Sequence, residues 1–441
     1  MECTAPPGPL AGAHRSVDGC RRMNAVETLP MSRKPRILVM SHRHPDFSLG
    51  GGEIAAYNLY KAYRDSDDVE EAWFLASADR GRGANGAITP RRANEYLWEQ
   101  GIGDWTMLKA AHRHSLVNSF LDLLRALRPT VVHTHHYAHL GVEFLRLVKA
   151  FDPTIKLVLT LHEYMAICNN QGQMIKTSGR LCSRESYDDC RLCFPQYSVQ
   201  DFWRRKNFIL SHFAYVDQFV SPSEFLRQRY IAWGIPADKI LVIENGQDDA
   251  QPLPPRPLAE GETRNRFGYF GQINPFKGLD VLLSALTQMR KSERKQIVLE
   301  VHGANLEAQS GEFRDKIKEL ADPLIKEGVV QWVGPYQPHE IASRMANIDW
   351  VVVPSVWWEN SPMVIQEAFV HGRPLLVSNI GGMAEKVLDG VNGKAVQVGN
   401  ALAWASSMLE MQDSARWTSC REAVEPPLSH AKIAKMHLEI L

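Results

Sequence analysis

Val351-Val352-Val353-Pro354-Ser355-Val356-Trp357-Trp358-Glu359-Asn360-Ser361-Pro362-Met363-Val364-Ile365-Gln366-Glu367-Ala368 is the stretch whose reading decides the fold. Trp350 to Val353 is apolar, uncharged and β-branched, as a parallel strand covered on both faces should be. Ser361 followed by Pro362 predicts a helix start, with a hydroxyl N-cap and a proline where no N–H is needed. Two carboxylates bracket that start: Glu359 in the loop, and Glu367 about one and a half turns into the helix. Unpaired N–H groups and the positive end of a helix dipole between them suit a phosphate, and the acids suit hydroxyl groups. In outline this is a sugar-nucleotide site.

Working outward, 441 residues exceed one ordinary core and predict two α/β domains. A hydrophobic share of 44% with 23% charged residues describes a soluble globular chain. Lys+Arg and Asp+Glu both number 50, so no global charge draws the chain to nucleic acid. No apolar run approaches the roughly 20 residues that span a bilayer. Residues 1–30 lack an apolar core and read as a disordered tail, or as an upstream extension if translation starts at Met23 or Met31. Seven cysteines without a signal peptide favour a reducing cytoplasm over a disulfide framework.

The first half, residues 31–250, alternates strands and helices. Arg36 to Ser41 is a strand, Leu49 to Glu53 a glycine-rich loop, and Ile54 to Tyr63 a helix, the first unit of a doubly wound sheet. Gly50, Gly51 and Gly52 let backbone approach a ligand, although a plain tight turn explains them equally well. Glu70 to Ser77 is a second strand and His114 to Leu127 an amphipathic helix. Thr130 to His136 and Lys156 to Glu163 are strands, separated by the helix Leu140 to Ala150. Both end in histidine, at His133, His135, His136 and His162. Each is readable as a satisfied strand-end residue; together they suit an anionic ligand better than a metal.

Cys168, Cys182, Cys190 and Cys193 then fall within one loop-rich segment. Four thiolates could hold a structural zinc, and four incidental thiols fit as well. Trp203-Arg204-Arg205-Lys206 opens a helix running to Tyr215. Its basic cluster reads as a solvated face or as a peripheral contact with the inner membrane face. Strands at Phe219 to Ser223 and Ile240 to Gly246 follow, with the helix Phe225 to Trp233 between them. The proline-rich segment 251–262 is the inter-domain linker. Residues 263–415 begin a second α/β half: strands at Arg266 to Gly271, Ile297 to Gly303, Val329 to Val333, Trp350 to Val353 and Pro374 to Ser378. Residues 416–441 form a terminal helical segment. Trp357 and Trp358 read as core, and the cleft between the halves is where a substrate would bind.

These motifs resemble the family-4 retaining glycosyltransferases, with two facing Rossmann-like domains (the GT-B fold), from Arg36 to the C-terminus. The resemblance rests on Glu359-x7-Glu367 within Pro354-Ser355-x3-Glu-Asn-Ser-Pro-x4-Glu-Ala. Around it stand Gly271-Gln272-Ile273-Asn274-Pro275-Phe276-Lys277-Gly278, Gly381-Gly382-x2-Glu385, Asp389-Gly390-Val391-Asn392-Gly393 and Gly50-Gly51-Gly52-Glu53. It implies that Glu367 holds the nucleotide ribose, Glu359 faces the sugar hydroxyls and Lys277 contacts the diphosphate. It implies a catalytic histidine near the transferred sugar, best matched by His135. Gly51, Gly52, Gln272, Ser361, Met363 and Val364 complete the donor site. Gln272 stands where the family usually has arginine, one charge fewer on the diphosphate. The activity implied is transfer of a hexose-type sugar from a nucleotide-diphosphate sugar, with retention and without a metal, to a glycan, lipid-linked or small-molecule acceptor. Cell-surface polysaccharide synthesis is the setting. A sugar-nucleotide epimerase and a non-catalytic glycan- or nucleotide-binding protein of the same fold are the alternatives.

Overall fold

The computed structural model describes residues 34–48, 50–78 and 86–441; the N-terminal tail expected over residues 1–30 lies outside them. Two sheets dominate. The first runs, edge to edge, Ile240–Val242, Gln218–Ser221, Lys156–Thr160, Val131–Thr134, Arg36–Ser41, Glu71–Ser77, Glu95–Trp98 and Ile88–Arg92. Every neighbouring pair is parallel except the last. The Ile88–Arg92/Glu95–Trp98 hairpin has no counterpart in the sequence reading, because charged residues interrupt its alternation. The second sheet is wholly parallel: Val330–Trp332, Val298–Ala304, Arg266–Gln272, Trp350–Val353, Leu375–Ser378 and Gly393–Val396.

Alternation along the central strands sends side chains to cores on both faces. Leu38 and Met40 join one apolar cluster, and Ile37 and Val39 another. In the second sheet Val352 packs to one side, and Val351 and Val353 to the other. All four residues of Trp350–Val353 are buried, as their lack of charge requires. Each fully buried aliphatic side chain contributes about 1.5–3 kcal/mol.

In both sheets the chain starts in the middle, winds one way, then restarts on the other side of its first strand. The switch points lie between Arg36–Ser41 and Val131–Thr134, and between Arg266–Gln272 and Trp350–Val353. Loops leaving those strand ends form the crevice where doubly wound sheets bind ligands. The last helix, His430–Leu438, returns to the first sheet, where Ile433 and Ala434 pack with Leu59, Tyr60 and Tyr63.

Four local expectations are corrected. Gly51 and Gly52 belong to the Gly51–Arg64 helix, whose N-cap is Gly50, so the crevice receives a helix end and not a glycine loop. The helix expected from His114 to Leu127 contains a π turn, Leu116–Phe120, before its final segment Leu121–Leu127. Ser361 does not cap: Pro362, at ψ 120°, stands outside the Met363–Val370 helix, and the Ser361 hydroxyl is buried without a partner. Helix Val199–Phe213 starts at a Ser198–Asp201 capping box, and Arg205 is 1% exposed, donating to the Met165 and Ala166 carbonyls. The basic run is therefore split between core and solvent.

Candidate active site

The second sheet supplies one wall. Lys277 lies on the loop after Arg266–Gln272 and Glu359 on the loop after Trp350–Val353, the two loops of the switch point. Gly278 holds them together: at φ +71° its α-carbon lies so close to the Pro354 carbonyl that a Cβ would sit 2.1 Å from that oxygen. Three donors converge on Glu359 Oε1: Lys277 Nζ at 2.6 Å, Ser355 Oγ at 2.8 Å and Trp357 Nε1 at 2.8 Å. Burial pushes the Glu359 carboxyl up, but the Lys277 ammonium and these hydrogen bonds hold it below the usual range. Trp357 and Trp358 are half-buried: Trp358 packs against the first-lobe core, in line with the core reading, whereas Trp357 joins no core cluster of the described residues. Trp357 stacks on Phe276 at 5.6 Å, and Trp358 packs on Phe225 at 5.3 Å.

Glu367 projects from the Met363–Val370 helix, half-buried, and burial raises its carboxyl to about 7. Neighbouring Gln366 is buried and bridges to the first lobe: it donates to the Asn245 carbonyl at 2.9 Å and accepts from Gln247 Nε2 at 3.0 Å. Gln272 ends its strand exposed.

The first sheet supplies the facing wall. The first residues of the Gly51–Arg64 and Met363–Val370 helices lie side by side: a Cβ at Gly51 would sit 3.4 Å from Met363 Cγ. Two helix N-termini brought this close give the site unpaired amides and positive dipole ends that suit an anion. Glu53, in the first turn, accepts from Ser48 Oγ at 2.7 Å and lies 3.3 Å from His42 Nε2. Burial opposes its ionisation, but His42 and Ser48 hold it at about 2. His162, partly exposed at the end of Lys156–Thr160, lies 3.4 Å from where a Gly52 Cβ would be. His135 sits behind it, 3% exposed, with Nδ1 3.0 Å from His162 Nε2. Burial and neighbouring imidazoles hold both rings neutral, His162 at about 4.

Residues that sequence motifs flagged without a role also join the lobes. Glu385 accepts from the Glu224 and Phe225 amides, each at 2.8 Å, capping a first-lobe helix with a second-lobe carboxylate. Ser223 Oγ donates to Asn360 Oδ1 at 2.8 Å, and Lys386 pairs with Glu244. Trp358 Nε1 donates to the Cys182 carbonyl at 2.9 Å, so the cysteine-bearing loop braces the Glu359 loop. Cys168, Cys182, Cys190 and Cys193 are free and half-buried; burial pushes the Cys190 thiol to about 12. Among the described residues, no three His, Cys, Asp or Glu side chains are grouped to hold a metal ion.

Two Rossmann-like lobes joined across their switch-point loops define the GT-B class. Two family models divide the chain: glycosyltransferase family 4 matches residues 49–251, and glycosyl transferases group 1 matches residues 253–420. The chain belongs to the family-4 glycosyltransferases.

Among curated relatives, a lipopolysaccharide 1,2-N-acetylglucosaminetransferase of Salmonella typhimurium is 29% identical over 188 residues, 40% of this chain and 48% of that protein. A D-inositol 3-phosphate glycosyltransferase of Corynebacterium aurimucosum is 28% identical over 187 residues, 40% and 44% of the two chains. The chain thus spans just under half the length of these relatives. Among solved structures, Anabaena HepE in complex with UDP and glucose superposes with a TM-score of 0.60 at 17% identity, covering 92% of this chain and 99% of that one. Sucrose-phosphate synthase from Thermosynechococcus elongatus gives 0.67 at 16% identity, with 92% and 98% covered. These likenesses establish the fold.

Proposed function

We propose that the chain transfers a hexose-type sugar from a nucleoside-diphosphate donor to a glycan, lipid-linked or small-molecule acceptor, with retention and without a catalytic metal. The observation that carries this is the Lys277–Glu359 pair on the two switch-point loops, with the N-terminal residues of one helix from each lobe close together at Gly51 and Met363. The diphosphate lies against the Gly51, Gly52, Met363 and Val364 amides, and Lys277 swings from Glu359 to meet it. A leaving diphosphate gains negative charge, and these groups stabilise it because they are already in place. Glu359, released from Lys277, takes sugar hydroxyls, and Glu367 takes the ribose hydroxyls. His162, partly exposed beside Gly52, contacts the transferred sugar in place of the expected His135, which is buried and supports it through Nδ1. The acceptor hydroxyl attacks the anomeric carbon on the face the diphosphate leaves and passes its proton to the departing phosphate oxygen, which retains configuration. The curated relatives named for lipopolysaccharide and inositol phosphate support a glycan or polyol acceptor.

The test is release of free nucleoside diphosphate from UDP-, GDP-, ADP- and dTDP-sugars, chosen by which stabilises the fold in a thermal-shift screen. Acceptor-dependent release is expected, undiminished by EDTA. An epimerase would interconvert the donor without releasing diphosphate, and a binding protein would shift Tm without turnover; either result replaces this reading. Among the described residues no helix is long and apolar enough to cross a membrane. A cytoplasmic site of action with peripheral membrane contact is tested by vesicle co-sedimentation. Metal analysis of the purified chain tests the zinc reading of the four cysteines.

A further inference from the structure

The helix His430–Leu438 seats His437 beside the strand-end histidines, and the rings form a continuous file. Centroids are 5.0 Å apart from His437 to His133, 4.6 Å from His133 to His135, and 5.2 Å from His135 to His162. His133 is satisfied at both nitrogens, by the Tyr63 hydroxyl at 3.2 Å and the Thr160 hydroxyl at 2.7 Å. His135 is satisfied at one only: Nδ1 meets His162, while Nε2 is buried without a partner. His437 Nδ1 is buried without a partner too, and both residues are 3% exposed. They line one small cavity of about 10 Å³, with Thr160, Asn245 and His430. That volume is close to what a single water needs, and two unpaired nitrogens are the partners such a water seeks.

We infer that this cavity binds one ordered water, which joins His437 Nδ1 to His135 Nε2 and so makes both histidines positioning residues for His162. The inference rests on the reading that His162 touches the donor sugar. A neutral imidazole has one donor and one acceptor nitrogen, so in the His135–His162 contact one ring gives the proton and the other receives it. The tautomer of His135 therefore fixes which nitrogen of His162 carries its proton toward the crevice, and a water that takes up either role at His135 Nε2 couples that choice to the tautomer of His437. Burial keeps the file neutral, with His437 at about 3 and His162 at about 4, so the chain of hydrogen bonds is not broken by protonation near neutral pH. The inferred bridge thereby ties the helix His430–Leu438 to the crevice through one solvent molecule.

The test compares His437→Leu and His437→Gln in the full chain. His437→Leu should lower kcat by roughly tenfold with little change in donor KM, since misorientation costs rate more than binding. His437→Gln, which keeps a polar end in the cavity, should recover part of it. In 15N-histidine-labelled protein the His162 ring nitrogens should change shift in His437→Leu, and a crystal structure should show density for a water within hydrogen-bond reach of both nitrogens. A dry cavity, or a folded His437→Leu chain with unaltered His162 shifts, overturns the inference. If the wild-type chain moves no sugar at all, the functional reading fails instead, while the ring-nitrogen shifts and the crystal water still decide the bridge.

Discussion

Lys277→Ala tests the central pair most directly. In the folded chain Lys277 Nζ lies 2.6 Å from a Glu359 carboxylate whose side chain is 8% exposed, so removing the lysine strands a buried charge. Breaking a buried pair from one side costs about 3–5 kcal/mol. Here two neutral donors, Ser355 Oγ and Trp357 Nε1, remain on the same oxygen and Lys277 is 29% exposed, so about 1–3 kcal/mol is expected. Glu359 is held below the usual carboxylate range in the wild type, so the stability it contributes is full above that range and is lost as pH falls through the folded value. Without Lys277 the depression shrinks, and the variant should lag the wild type at pH 7 but converge with it as pH falls below about 4. Thermal unfolding at a series of pH values reads this. Turnover should fall about 10²–10³-fold, the scale of one lost electrostatic contact to a developing anion. A Tm gap that stays constant with pH, or normal kinetics, would refute the reasoning.

Further expectations follow from the same geometry. Burial raises Glu367 to about 7, so its ionisation opposes folding and stability declines as pH rises from the ordinary carboxylate range through 7. Glu367→Gln should therefore unfold at a higher temperature than the wild type at pH 8, while donor KM rises; an unchanged donor KM would detach Glu367 from the ribose. Gly382→Ala places a Cβ 1.7 Å from the Asn360 carbonyl and should destabilise by about 1–3 kcal/mol, with activity lost as the Glu359 loop shifts. Glu385→Ala removes two charge-assisted bonds between the lobes, worth about 1–2 kcal/mol as a helix cap, and small-angle scattering should show an expanded chain; an unchanged radius would mean the other bridges suffice.

Much of this protein is legible in its sequence because local physics leaves a local trace. The uncharged run Trp350–Val353 could only be a covered strand, and the paired acids with Lys277 carry a family pattern that needs no coordinates. The doubly wound class, the two halves and the crevice follow from such periodicities. What the sequence by itself could not decide are the contacts between residues far apart in it. Nothing in Lys277 or Glu359 alone announces that they form an ion pair 82 positions apart. Nothing in Ser361-Pro362 reveals that the helix begins one residue later than the N-cap rule suggests. Only the tertiary fold sets His162 at the crevice and His135 behind it, since both are strand-end histidines in the chain. Only that fold brings Glu385 to a helix end of the other lobe and His437 back to the first sheet. The reason is that hydrophobic periodicity reports which face of an element is buried, whereas the partner across that face depends on how whole elements pack.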